Sequence, residues 1–145
     1  VSGRIKHFIS AFGEHVIVSE VENALKQAID SDLTNATVRE FTVAPQVEPQ
    51  KGLPYHEWFI EFDNPPINLE AFASRIDEAM QAQNIYYNDL IIGKILRPLL
   101  IRNVAPEGFK KYMKREGKLG GQNKVPRVSD NRMIADVLND YLIQG

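Results

Sequence analysis

A lysine near the carboxyl end of the chain lies in a segment rich in residues that either restrict or free the backbone. The segment reads Gly120, Gly121, Gln122, Asn123, Lys124, Val125, Pro126 and Arg127. Pro126 has a fixed φ and biases the residue before it toward an extended conformation, whereas the two glycines allow conformations that other residues avoid. The Lys124 side chain is therefore expected to have a narrower range of directions than that of a lysine on a helix surface. Its ammonium group suits an anionic ligand such as a phosphate or a carboxylate.

The charge of the chain is divided along its length. Residues 94–127 contain ten Lys and Arg and two acidic residues, whereas residues 1–93 contain six Lys and Arg and fourteen acidic residues. The formal net charge of −2 for the 145 residues therefore hides stretches of about +8 and −8. Most of the basic side chains are expected to be solvated, on a helix whose other side carries Phe109 and Met113. These solvated side chains are Lys110, Lys111, Lys114 and Arg115.

Composition and spacing exclude several kinds of site. The chain has no cysteine, so it forms neither a disulfide nor a thiolate site, and this fits a cytoplasmic location. No histidine has metal-ligand spacing with carboxylates, so no metal site is expected, and His56 is expected to lie in the core. The chain contains neither a Gly-x-Ser-x-Gly motif nor a glycine-rich phosphate loop, so it is not expected to hold ATP alone. A membrane is not an expected partner, because no run of about 18 apolar residues is present.

The apolar periodicity predicts a single α+β domain over residues 1–145. Strands are expected at 5–10, 15–18, 36–43, 55–62 and 99–104, and helices at 19–31, 69–83, 86–95, 106–115 and 131–142. Ser19 and Glu22 have the spacing of a capping box for the first helix, and Asp77 and Glu78 are expected on the solvated face of the second. The order predicts a βαββαβ-like core, in which a small, mostly antiparallel mixed sheet of four or more strands is packed by helices and followed by a C-terminal helix. Because no cap or tail precedes the first strand, a fragment of a longer protein is expected.

Alternation in the predicted strand 55–62 divides its side chains between two faces. One face carries His56, Trp58, Ile60 and Phe62, and the other carries Tyr55, Glu57, Phe59 and Glu61. A βαββαβ core with a basic side raises an alternative function, a stand-alone ferredoxin-like binding module for RNA or a small regulatory ligand. RNA binding requires exposed aromatic residues, and the glutamates beside Tyr55 and Phe59 would place carboxylates among the phosphates. Nucleic acid is therefore not the expected partner.

The motifs together resemble the C-terminal domain of the auxin-responsive acyl acid–amido synthetase family, which belongs to the wider adenylate-forming group of ligases. The chain is similar to a bacterial-type member, and the resemblance covers nearly all of it. The similar segments are Gly3–Ile9, Ala11–Glu14, Leu99–Phe109 and Gly121–Arg127. One departure concerns Asn123, which stands where the plant relatives usually have an aromatic residue, so no plant substrate preference is carried over.

The resemblance implies a two-step, ATP-dependent ligase whose large N-terminal domain binds ATP with Mg²⁺ and a carboxylic acid. The C-terminal domain then rotates and assists transfer of the acyl group to an amine or another nucleophile. By this resemblance Lys124 is the catalytic residue, placed between the substrate carboxylate and the α-phosphate. Gly3 and Arg4 form the hinge, and the loop of Phe12, Gly13 and Glu14 faces the cleft between the domains. The supporting loop consists of Gly120, Gly121, Gln122, Pro126 and Arg127.

Structural explanations remain open for three of these residues. Arg4 could pair with a surface acid, and Gly13 could simply complete a tight turn. Arg127 is expected to be structural, tying its loop to the C-terminal helix. The isolated chain is expected to be inactive, with its own N-terminal domain as the expected partner.

Overall fold

A computed structural model of the chain describes residues 8–32, 35–116 and 125–143. The described elements include both strands and helices, as the sequence predicts for an α+β domain. They are β1 (Phe8–Ile9), β2 (Val16–Ile17), α1 (Val18–Asp30), β3 (Thr37–Gln46), β4 (Tyr55–Asn64), α2 (Leu69–Gln83), α3 (Ile85–Ile92), β5 (Leu100–Asn103), α4 (Gly108–Arg115), α5 (Met133–Leu138) and a 3₁₀ turn (Asn139–Tyr141). Within the described ranges, no helix is long and apolar enough to cross a membrane.

The strands form two separate sheets. The central sheet has the order β3-β4-β5, with β3 antiparallel and β5 parallel to β4, while β1 and β2 pair with each other. The α+β class is confirmed, but the prediction of a single sheet with four or more strands is wrong. Within the described residues, β1 and β2 contain two residues each and pair with each other, and the chain enters α1 directly after Ile17, so this hairpin does not extend the central sheet.

Short segments pair with both edges of the central sheet. Val128 forms a parallel bridge with Val43 on β3, and Leu142 forms an antiparallel bridge with Val104 just after β5. Each segment satisfies backbone groups that an edge strand would otherwise leave open. Val128 directly follows the predicted loop around Lys124 (residues 120–127, called the lysine loop below). The sheet edge therefore fixes the carboxyl end of this loop.

Each face of the sheet is covered by its own apolar cluster, in agreement with the alternation predicted for β4. Trp58 and Ile60 are almost fully buried in a first cluster with residues of α1 and α2. Phe59 points to the opposite face, into a second cluster with residues of α4 and α5. Burial of such side chains, at roughly 1.5–3 kcal/mol each, is the main force that holds the helices on the sheet.

Polar side chains set several helix ends. Asn68 accepts a hydrogen bond from the Ala71 N–H (3.0 Å) and starts α2 at the predicted residue. Asn84 ends α2 and accepts a hydrogen bond from the Tyr87 N–H (2.9 Å), which starts α3. The predicted capping box is wrong, because α1 already begins at Val18. The last helix is also shorter than predicted, because the chain turns at 139–141 to pair with the sheet edge.

The two glutamates expected beside the aromatic residues of β4 are buried and paired. Glu61 accepts hydrogen bonds from the backbone N–H groups of Glu107 (2.9 Å) and Phe109 (3.2 Å), at the start of α4. Its charge therefore caps a helix whose own N-cap position provides no side-chain hydrogen bond. Glu57 pairs with Arg102, with 2.5 Å between the carboxylate and Nε.

Candidate functional site

The segment after the predicted catalytic lysine is attached to the edge of β3. The Thr42 hydroxyl donates a hydrogen bond of 2.6 Å to the carbonyl of Pro126. The N–H of Val43 donates to the Arg127 carbonyl (2.9 Å), and the N–H of Ser129 donates to the Val43 carbonyl (3.0 Å). Val125 is buried in the second cluster. Five consecutive residues after position 124 are thus fixed by strand-like pairing and by the core.

Arg127 anchors this segment through its side chain as well. The guanidinium lies over the ring of Phe41, 4.7 Å from its centroid, and forms an ion pair with Glu40. A weaker contact joins Nε to the carboxylate of Glu22 on α1 at 3.7 Å. These contacts agree with a structural role. However, they tie the loop to β3 and α1, and not to the C-terminal helix as expected from the sequence.

Several predicted site residues lie outside the described residues. They are Gly3, Arg4, Gly120, Gly121, Gln122 and Lys124. The described chain stops at Glu116, just after α4, and resumes at Val125. Tyr112 and Met113 of α4 belong to the same apolar cluster as Val125, so both ends of the segment 117–124 are attached to one part of the core.

The predicted cleft-facing loop lies between β1 and β2 and forms a tight turn. Gly13 has φ +89°, and its N–H donates a hydrogen bond to the carbonyl of Ser10 at 3.4 Å. A side chain would meet no atom within 4 Å at this position, so the backbone conformation, and not lack of space, requires glycine here. Phe12 is half-buried and packs on the first cluster, which holds the turn against the core.

The side chain of Glu14 faces inward, contrary to the expectation that it faces a cleft. It is fully buried, and its carboxylate lies 2.8 Å from Nε2 of His56, which is itself buried as expected. The other carboxylate oxygen accepts a hydrogen bond from the Phe12 N–H at 2.7 Å. Burial raises the pKa of Glu14, but the hydrogen bond and charge of His56 outweigh it, so the pKa lies below its ordinary value. The carboxylate thus holds the turn from beneath.

A second buried carboxylate continues this polar network. Asp77 accepts hydrogen bonds from the Tyr87 hydroxyl and from the Leu99 N–H (3.1 Å), and the Tyr87 ring lies 5.2 Å from that of His56. Burial, together with the charge of Asp77, raises the pKa of Tyr87 well above its ordinary value. The prediction that Asp77 is solvated is wrong. Asp77 lies three positions before the buried Met80, and this helical spacing indicates that both residues share the apolar face of α2.

The described structure brings two of the predicted regions together. Phe8, Ser10 and Ala11, around the first turn, line a small cleft of about 210 Å³ together with Asp130. Asp130 follows the segment that pairs with β3. The turn and the anchored end of the lysine loop therefore lie side by side, although more than a hundred positions separate them in the sequence.

The basic residues of α4 lie in solvent as predicted. Lys110, Lys111, Lys114 and Arg115 are exposed, whereas Phe109 and Met113 are buried. The aromatic residues that RNA binding would need are not accessible, because Tyr55 and Phe59 are 4% and 0% exposed. Among the described residues, no group of three His, Asp or Glu is placed to hold a metal ion.

Comparison with known proteins identifies the family. Residues 19–133 match the C-terminal domain of the GH3 family, and this range includes the motifs at 99–109 and 121–127. A search of the curated proteins found no match.

Two solved structures share the fold. A GH3.15 acyl acid amido synthetase matches 96% of this chain with a TM-score of 0.76 and 18% identity. A structure described as AtGH3.15 acyl acid amido synthetase in complex with 2,4-DB matches 97% of this chain with a TM-score of 0.74 and 18% identity. The chain spans about a quarter of these synthetases, 27% and 26% of their lengths. Because the match at 19–133 covers most of the sequence, this chain belongs to the GH3 family and contains its C-terminal domain.

Proposed function

We propose that this chain is the mobile C-terminal domain of an ATP-dependent ligase that forms acyl-adenylates. In this proposal an N-terminal domain, in the same cytoplasmic protein, binds ATP with Mg²⁺ and a carboxylic acid. The C-terminal domain closes on it for adenylation and then assists transfer of the acyl group to an amine or another nucleophile. The family match over 19–133 carries the proposal, and the amido synthetases with the same fold support it.

Lys124 is the proposed catalytic residue. Its ammonium group would stabilise the negative charge that develops between the substrate carboxylate and the α-phosphate. The residue that follows it is buried, and the next residues are hydrogen-bonded to β3. This attachment supports the proposal, because a cation contributes most to catalysis when little reorganisation is needed to bring it to the reacting atoms.

The hinge and the turn have supporting roles. Gly3 and Arg4 would absorb the change of backbone dihedrals when the domain rotates. The turn at Phe12 and Gly13 would face the larger domain with its backbone, because the Glu14 side chain beneath it already binds the Phe12 N–H and His56. The positive φ of Gly13 fits a turn that another backbone approaches closely.

Exchange of pyrophosphate into ATP, measured with the full-length protein and its acyl substrate, tests the role of Lys124. Lys124→Ala is expected to slow exchange by about a hundredfold or more, the usual loss when one positioned electrostatic group is removed. Lys114→Ala is the matched control, because Lys114 is an exposed lysine of the same basic region. An exchange rate near that of the wild type in the Lys124→Ala protein would reject the assignment.

A further inference from the structure

A basic cleft lies at the end of the sheet where β3 connects to β4, and its lining is separate from the turn at 10–13 and from the described segment 125–130. The cleft has a volume of about 600 Å³, in the range of small-molecule sites. Its charged and aromatic lining comes from Glu48, Lys51, Tyr55, Glu57, Arg97, Arg102 and Arg132. None of the residues at 8–14 or 125–130 lines it. We propose that this cleft binds a small polyanion that carries phosphate or carboxylate groups.

Two of the arginines are held in place by one buried carboxylate. The Glu57 side chain is 3% exposed, and its two oxygens lie 2.5 Å from Nε of Arg102 and 2.7 Å from Nη1 of Arg132. Arg102 belongs to β5, and Arg132 directly precedes α5. Nη1 of Arg132 also donates a hydrogen bond to the carbonyl of Pro45 at 3.2 Å. The two guanidinium groups therefore come from distant parts of the chain and are fixed before any ligand binds.

Tyr55 positions the third arginine. Nη2 of Arg102 donates a hydrogen bond of 2.9 Å to the Tyr55 hydroxyl, while the Arg97 guanidinium lies over the Tyr55 ring, 4.3 Å from its centroid. The Arg97 N–H donates to the Pro54 carbonyl at 3.0 Å, which fixes the backbone of this loop residue. Nε of Arg97 is buried and has no hydrogen-bond partner among the described residues. Such a group is costly unless it acquires an acceptor.

The charges of the cleft do not balance. Four cations line it, but its lining contains two carboxylates, those of Glu48 and Glu57. Asp136 approaches Arg132 from outside the lining, at 3.1 Å from Nε, and still leaves a positive excess. Neither Arg97 nor Lys51 forms an ion pair with a described residue. Arginine side chains match the planar oxygens of carboxylates and phosphates, and the two cations without an ion pair in the described chain, Arg97 and Lys51, can each meet one charge of an anion that carries two or more.

Titration of the 145-residue chain with inorganic phosphate and with citrate tests the cleft. Binding is followed by calorimetry or by NMR shifts, with sodium chloride at equal ionic strength as the reference. Saturable binding of one anion or both is expected, at concentrations below about 10 mM. The anion that binds more tightly tells whether phosphate or carboxylate groups are preferred.

Single-residue variants show whether the anions bind at this cleft or are attracted by the general positive charge of the protein. Arg97→Gln is expected to weaken binding by about tenfold, and Lys51→Gln by about threefold. Lys51 is exposed and has no described ion pair, so its variant keeps the test valid if Arg97→Gln impairs folding. Arg75→Gln is the matched control, because Arg75 lies outside the cleft and pairs with Asp32 at 3.7 Å.

The proposal is overturned if neither anion saturates, or if both cleft variants bind as the wild type does. A loss of equal size in Arg75→Gln would also overturn it, since general charge would then explain the binding. Lys124→Ala is expected to bind both anions normally. The cleft is thus tested independently of the proposed ligase function, and either proposal can fail alone.

Discussion

The Glu14 side chain has a different role from the one expected for the loop that contains it. Its position after Phe12 and Gly13 led to the expectation that it faces a cleft, but the carboxylate is fully buried beside His56. A buried carboxylate is stable only with partners, and here they are the imidazole and the Phe12 N–H. The functional interest of the turn therefore rests on its exposed backbone, and Glu14 is a residue that positions it.

Glu14→Gln is expected to destabilise the fold by about 1–3 kcal/mol near pH 7, because it removes a buried carboxylate that is hydrogen-bonded to His56 and to the Phe12 N–H. The pKa of Glu14 in the folded state lies below its ordinary value of 4.5, so the ionised carboxylate contributes stability above about pH 4.5. That contribution is lost as the pH falls through the lower folded-state pKa. Urea unfolding of both proteins at several pH values measures the difference.

The control for this series is Glu78→Gln, which changes an exposed carboxylate of α2. Its stability is expected to stay within about 0.5 kcal/mol of the wild type at all pH values. A difference between wild type and Glu14→Gln that persists unchanged at low pH would show that ionisation of Glu14 does not contribute to stability.

The bounds of the longer elements follow from local signals, whereas those of the shortest do not. The prediction for α2 at 69–83 is confirmed, because apolar residues at helical spacing coincide there with Asn68 and Asn84 at the two ends. β2 and the last helix were predicted too long, whereas the predicted start of the first strand lies outside the described residues. Their ends depend on where the chain meets the sheet edge or the core, and this information is not local.

The attachment of residues 125–129 to β3 depends in part on one side-chain hydrogen bond, which a single substitution can remove. Thr42→Val removes the hydroxyl that donates to the Pro126 carbonyl while keeping a similar shape. Loss of this bond in a buried place is expected to cost about 1–2 kcal/mol in urea unfolding and to slow pyrophosphate exchange. The exchange effect is expected because the bond fixes the residues that follow Lys124.

Thr37→Val is the matched control, since Thr37 is an exposed residue of the same strand. It is expected to change neither stability nor exchange by a measurable amount. If Thr42→Val lowers stability but leaves exchange at the wild-type rate, the attachment to β3 does not position the lysine loop.

At the scale of the complete protein, the proposed rotation of this domain depends on the hinge that connects it to the N-terminal domain. Gly3→Pro restricts φ at the proposed hinge and removes its N–H. Adenylation is expected to continue, while transfer of the acyl group to the acceptor slows by about tenfold or more, since in the proposed mechanism only the second step needs the rotated orientation. Pyrophosphate exchange and product formation, measured on the same preparation, separate the two steps. Equal rates of product formation in variant and wild type would place the hinge elsewhere.

The arrangement of the whole domain also decides between the functions considered. The two faces of the central sheet are both occupied by apolar clusters, so no face remains for stacking of bases. Among the described residues, two groups of basic side chains lie on the exposed side of α4 and in the cleft beside Tyr55. A domain with this distribution of charge fits small anionic ligands better than a nucleic-acid strand.

The amino-acid order determined the types of the elements, the two faces of β4 and the placement of glycine and proline around Lys124. These features depend on residues within a few positions of one another, so periodicity and proline or glycine placement reveal them. The motifs at 3–9, 11–14, 99–109 and 121–127 together indicated the family, which the match at 19–133 confirms.

Folding in three dimensions decided which charges meet. Glu14 pairs with His56 across 42 positions, and Glu57 pairs with Arg102 across 45. No local pattern distinguishes these glutamates from solvated ones, because their partners arrive through the register of the sheet and the packing of separate helices. Because both glutamates are buried, each of them needs its partner, since the free energy of an unpaired charge inside a protein is strongly unfavourable.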